Sequence, residues 1–217
     1  MTDSDILAKL SNKRIGVLYG GLSSEREISI KSGKAVLNAF RKLKLNVCGI
    51  DVNRNIAGEI KKEKIDVAYI ALHGPMGEDG TIQGMLEILG IPYTGSGVFA
   101  SAASIDKDIS KKIFKYADIL TPEWKISKKF AAAPEIKKYP VIIKPVSQGS
   151  TIGVKIVEKP SEFVDAVKEV FKYGDEVLIE QFIEGKEVTV GVLNGKALPV
   201  VEIVPKGKFY DFKSKYQ

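Results

Sequence analysis

Lys144 closes an apolar run, and three positions later comes Ser147-Gln-Gly-Ser-Thr-Ile-Gly153. A lysine beside small residues and two glycines can wrap phosphate. Glycine lets the backbone approach closely, exposed N–H groups bind oxygens, and the ammonium adds a point charge. From this loop alone, a phosphate cradle and a plain hairpin loop with an exposed lysine stand level. His73, the single histidine, sits beside Gly74 and shortly before Glu78-Asp79. It ends an apolar run, where open parallel sheets place ligands, although a lone histidine is more often structural. Glu25 and Glu27 open a helical pattern near the same edge, where an acid also complements the helix dipole. Glu180 and Glu187 flank Gln181-Phe-Ile-Glu-Gly185 and by themselves are ordinary strand-end charges. Lys107 precedes Lys111, Lys112 and Lys115, most simply a solvated helix face. Gly95-Ser-Gly-Val-Phe-Ala100 fits G-x-G-x-x-A, but it follows three strand patterns instead of one, so a tight turn before a helix is the better expectation.

Those residues need a frame. Residues 14–19, 45–51 and 66–72 are short apolar runs, with helical patterns over 24–43 and 56–62 between them. Ser24 and Glu27 form a capping-box pattern. Strand–helix–strand–helix–strand predicts a parallel sheet with right-handed crossovers. A helix is expected over 81–89. Residues 140–144, 154–157, 176–180 and 186–193 are then strands, with a helix over 162–171 capped by Ser161. Asn194-Gly195 is a strong hairpin signal. Hairpins mean an antiparallel sheet, hence a second domain beginning between Gly95 and Asp106.

Composition narrows the class. Of 217 residues, 44% are hydrophobic, enough for a sizeable core. One cysteine excludes an internal disulfide framework. No apolar run approaches the roughly 20 residues of a membrane span, and the first residues do not form a secretory signal. The net charge of +6 comes from lysines spread among acids, a solvated surface more than a nucleic-acid face. One histidine and one cysteine argue against a His/Cys metal site, so no metal ligands are assigned.

In order, six segments resemble the D-alanine–D-alanine ligase family of the ATP-grasp superfamily. They are residues 18–29, 71–80, Asp106-Lys107 with Ser110-Lys111, residues 143–153, Glu180 to Glu187, and residues 210–216. The resemblance implies an N-terminal three-layer α/β domain with a parallel sheet over 1–100. It implies an α+β ATP-grasp domain with an antiparallel sheet, its central lobe at 101–182 and the start of its C-terminal lobe at 183–217. In the family, ATP phosphorylates one D-alanine, and the amine of a second attacks the acyl phosphate.

By match, Glu25 would hold the first D-alanine's ammonium, with His73 near its carboxylate. Lys107 and Lys144 would grip ATP phosphates under a flap of Gln148, Gly149, Ser150, Thr151 and Gly153. Glu180, Gln181, Phe182 and Ile183 would line the adenine slot, and Glu187 would bind ribose hydroxyls. Tyr216, on a mobile loop, would bond to Ser150 and Glu25, and Lys215 would reach the reacting phosphate. The resemblance further implies a cytoplasmic homodimer that uses D-alanine, ATP and Mg²⁺ or Mn²⁺, without nucleic acid or membrane. The metal ligands and the second D-alanine site would lie past Gln217, so the 217-residue chain alone is expected to be inactive. Other expectations are a different ATP-grasp carboxylate–amine ligase, a non-catalytic nucleotide-binding module and, more distantly, a dinucleotide-dependent oxidoreductase.

Overall fold

A central strand buried on both faces builds the first layer system. The computed structural model describes residues 2–204. The chain divides into two units, Met1–Ile105 and Asp106–Gln217. The first runs α1 (Asp3–Leu10), β1 (Ile15–Gly20), α2 (Arg26–Lys42), β2 (Val47–Val52), α3 (Ile56–Glu63), β3 (Val67–Ile70), α4 (Thr81–Ile88) and α5 (Val98–Ile105). Its sheet has the order β2-β1-β3, all parallel. Successive side chains point to opposite faces. Val17 therefore packs with Leu37 of α2, while Leu18 packs with Ile56 and Ile60 of α3 and Ile82 and Leu86 of α4. This is the expected three-layer arrangement.

Helix α2 lies very close to β1. A Cβ added to Gly33 would meet Tyr19 Cβ at 2.3 Å, so the helix can rest there only without a side chain. One turn earlier, Ser29 Oγ accepts from Gly20 N at 2.8 Å and donates to Ala71 O at 2.7 Å. That single buried hydroxyl ties together the carboxyl ends of two chain segments.

Several expectations are corrected. Ser24 does not cap α2: Glu25 is the N-cap residue, and its side chain makes no capping bond. The neighbouring Ser23 hydroxyl accepts from Glu25 N and donates to the His73 carbonyl. A parallel bridge from Ala68 to Tyr93, missed in the sequence, extends the sheet beyond β3. Helix α1, with a capping box built on Thr2, was also not anticipated.

The second unit contains α6 (Lys107–Tyr116), β4 (Trp124–Lys128), β5 (Val141–Pro145), β6 (Lys155–Val157), α7 (Pro160–Val170), β7 (Glu176–Gln181), β8 (Glu187–Thr189), β9 (Val192–Leu193), β10 (Lys196–Ala197) and β11 (Val201–Ile203). Strands β4-β7-β5-β6 form an antiparallel sheet. Val141, Ile143, Val177 and Ile179 bury one face against Phe163, Val167 and Val170 of α7. The opposite face presents Ile142, Lys144, Leu178 and Glu180, the alternate positions. Strand β4 was not expected from the sequence. Ser161 is not the cap of α7, which starts on Pro160 with Lys159 as N-cap; proline suits that first position because no helical partner is lost. The single strand expected over 186–193 is broken: β8 pairs with β11 and β9 with β10. Asn194 and Gly195, with φ of 51° and 75°, make the expected two-residue turn between β9 and β10.

Candidate functional site

Two groups of functional side chains form, one in each unit. In the first unit they collect at the carboxyl edge of the parallel sheet. Glu25 is only 2% exposed. Its Oε2 lies 2.8 Å from where a Cβ on Gly74 would stand, and Gly74 has φ of +68°. A side chain there would be strained and would displace the carboxylate. His73 Nδ1 is 3.7 Å from Glu78 Oε1, and its Nε2 is 3.3 Å from Ser32 Oγ. The Glu78 carboxylate beside the ring raises the imidazole pKa against the opposing effect of burial, and the Glu25 charge adds to the rise. The imidazole in turn lowers the Glu78 carboxyl against the opposing effect of burial. Asp79 accepts from Met76 N at 2.8 Å and Thr81 N at 3.0 Å, which fixes the loop into α4. This edge offers a buried carboxylate and a protonatable imidazole, suited to the two charged ends of a small amino acid.

In the second unit the site lies on the sheet face away from α7. Lys144 of β5 pairs with Glu180 Oε1. Lys111 of α6 holds Glu180 Oε2 at 2.7 Å. Lys111 is 6% and Glu180 7% exposed. The solvated helix face expected for the lysine run is therefore wrong at Lys111, which turns inward because Glu180 compensates its charge. Lys112 and Lys115 remain exposed. Lys107 Nζ donates to the carbonyls of Val146 and Gln148, while its backbone N–H reaches Val146 O at 3.1 Å. Burial, helped by the nearby Lys144 charge, depresses the Lys107 pKa to about 8.

Those contacts anchor the root of the loop over residues 146–154. Ser150 and Thr151 have φ of 51° and 62°, and Gly153 has 70°. Left-handed backbone at two non-glycine residues is uncommon and strained. At Gly153 a Cβ would stand 2.6 Å from Tyr173 Cδ2 and 3.0 Å from Pro145 Cγ. Only glycine fits between them. Gln148 Nε2 donates to Tyr173 O at 3.4 Å. Lys107, Lys144, Gln148 and the glycine-flanked loop are thus gathered around one end of β5. Such a grouping of cations and backbone suits a phosphate chain.

Gln181 ends β7 and Phe182 follows it, and their N–H groups reach Glu123 O at 3.4 Å and Pro140 O at 3.2 Å. Ile183 is exposed, and Glu187 opens β8 with an exposed side chain. Lys215 and Tyr216 lie outside the described residues. Lys111 was missed as a site residue; its i, i+4 spacing from Lys107 was the available signal. Among the described residues, no group of three or more His, Cys, Asp or Glu side chains is placed to hold a metal ion. The residues described thus do not fit a magnesium site, and no step is derived through one.

Comparison with known proteins bears on both groups. Residues 106–217 match the family model for the D-ala D-ala ligase C-terminus, and residues 53–96 match that for the N-terminus. The D-alanine–D-alanine ligase of Citrifermentans bemidjiense is 50% identical over 208 residues, covering 96% of this chain and 68% of the relative. That of Aquifex aeolicus is 49% identical over 205 residues, covering 94% and 70%. The crystal structure of the Bacillus anthracis D-alanine–D-alanine ligase complexed with ATP superposes with a TM-score of 0.82 at 40% identity, covering 91% of this chain and 68% of that one.

Proposed function

The chain belongs to the D-alanine–D-alanine ligase family, and on that premise we propose that it serves the ATP-dependent joining of two D-alanines into D-alanyl-D-alanine for peptidoglycan precursors. One carboxylate oxygen of the first D-alanine attacks the γ-phosphorus of ATP, and ADP leaves. The amine of the second attacks the acyl carbon, phosphate leaves, and the amine proton is released. The observation that carries the proposal is the grouping of Lys107, Lys144 and the strained loop over residues 146–154 at one end of β5. Cations and N–H groups fixed in advance stabilise charge developing on the transferred phosphoryl group.

Within that proposal, Glu25 binds the first D-alanine's ammonium and His73 sits near its carboxylate. Lys107, Lys144, Gln148, Gly149, Ser150, Thr151 and Gly153 hold the phosphates. Residues 180–183 line the adenine, Glu187 takes the ribose, and Lys215 and Tyr216 close the site. The division at 1–100, 101–182 and 183–217 is proposed with it. So are use of Mg²⁺ or Mn²⁺, a cytoplasmic setting and a homodimer through the first unit. Ile88 of α4 and Phe99 of α5, 87% and 81% exposed, support an apolar contact there. No described helix is long and apolar enough to cross a membrane. The test is product formation by the full-length protein with ATP and paired D-alanine, D-lactate or L-amino acids. D-Alanyl-D-alanine as the main product is expected; another carboxylate–amine pair turning over faster would replace this proposal with a different ATP-grasp ligase.

A further inference from the structure

Lys111 is spent on one carboxylate. Its ammonium is buried, 2.7 Å from Glu180 Oε2 and 2.6 Å from Thr121 Oγ1, and it lies 5.2 Å from the centre of the Trp124 ring. Trp124 is in turn held through Nε1, which donates to Asp108 Oδ1 at 2.8 Å. Glu180's other oxygen receives Lys144. Two cations thus share one buried acid, each on its own oxygen. The arrangement is asymmetric. Lys111 is locked among Thr121, Trp124 and Glu180, whereas Lys144 is more exposed, with 22% of its side chain open against 8% for Lys111.

We propose that Lys111 is a positioning residue for nucleotide binding: it fixes the Glu180 carboxylate as a resting partner for Lys144 and keeps it neutralised when Lys144 turns to the phosphates. This rests on the nucleotide assignment above. A buried carboxylate that loses its only cation is strongly penalised. Without Lys111, Lys144 could reach a phosphate only by stranding Glu180, so Glu180 would compete with the nucleotide for it. With Lys111 in place, Glu180 keeps one cation in either state. The lysine then costs little to transfer, and the site starts with an excess of positive charge toward a polyanion.

The test is a double-mutant cycle on the full-length protein, read by calorimetric ATP titration. Lys111→Met should raise the ATP Kd by about tenfold, equivalent to about 1.4 kcal/mol. In a Glu180→Gln background the same change should move Kd by less than about twofold, because no carboxylate remains to compete. Lys111→Arg keeps the charge and should hold Kd within about threefold of the parent. Thr121→Val leaves the pair intact but loosens the ammonium, and should give a smaller rise than Lys111→Met. It also reads the same contact if the Met variant does not fold. A Lys111→Met protein that melts lower but binds ATP like the parent would assign the lysine to stability alone and overturn the proposal. Equal effects of Lys111→Met in both backgrounds would also overturn it. Failure of the parent to bind ATP would instead overturn the nucleotide assignment.

Discussion

Replacing Lys144 with alanine probes the phosphate site most sharply, and its size can be worked from the contacts. An ammonium about 4 Å from a phosphate charge gains roughly 4 kcal/mol at an effective dielectric of about 20. Lys144 does not start as a free ion, because it is already paired with Glu180. Binding therefore exchanges one anion for another, and the net gain is closer to the ~1.5–3 kcal/mol of a hydrogen bond to a charged group. Lys144→Ala in the full-length protein should then raise the ATP Kd by roughly 10- to 150-fold. Calorimetry or displacement of a fluorescent ATP analogue measures it. Added salt should narrow the difference, because the side chain is partly exposed and partly screened. A variant Kd within about twofold of the parent would refute the exchange and with it the placement of phosphates at Lys144.

Three other outcomes test separate parts of the account. Lys107, depressed to about 8 by burial and by Lys144, should take up a proton when phosphates arrive. Calorimetry in buffers of different ionisation heat should detect uptake near pH 8–9, and no uptake there would count against the site. Because its pKa falls on folding, the unfolded chain binds more protons, so this group's contribution to stability grows as pH rises through about 8 toward the ordinary lysine range. His73, the single histidine, gives one resolvable NMR titration; Glu78→Gln should lower its pKa, and an unchanged titration would break the pair. The raised imidazole stabilises the fold below the ordinary histidine pKa and stops doing so as pH rises through its folded value. The lowered carboxyl acts above the ordinary glutamate value and stops as pH falls through its own, so the pair is most effective between about pH 4.5 and 6.5. Gly153→Ala combines a left-handed backbone with a 2.6 Å approach to Tyr173. It should cost roughly 2–4 kcal/mol in urea unfolding or displace the loop and weaken ATP binding. A variant matching the parent in both would contradict the packing of the loop.

Much of the architecture was legible because the buried strands are short, nearly continuous apolar runs bounded by turn residues. Val17 and Leu18 announce a strand buried on both faces, and Asn194-Gly195 announces its turn. The segment at Tyr93 was not legible, since a single bridge with Ala68 leaves no periodic pattern. Strand β4 was hidden because exposed lysines at Lys125 and Lys128, three residues apart, interrupt any alternation of apolar and polar residues. The Ser24 cap failed because two serines stand together, and Ser23 is the one tied to Glu25 and His73. At the site, the glycine-flanked loop and Lys144 are visible in residue type and order. Lys111 is visible only as a position one helical turn from Lys107; that it is buried does not show until its carboxylate is found 69 residues away.

The central claim is that the carboxylate of D-alanine attacks ATP and forms an acyl phosphate. D-Alanine carrying ¹⁸O in both carboxylate oxygens tests it directly in the full-length protein. One labelled oxygen should leave on each phosphate released, matched one to one with dipeptide formed. Dipeptide formation with unlabelled phosphate would contradict the account.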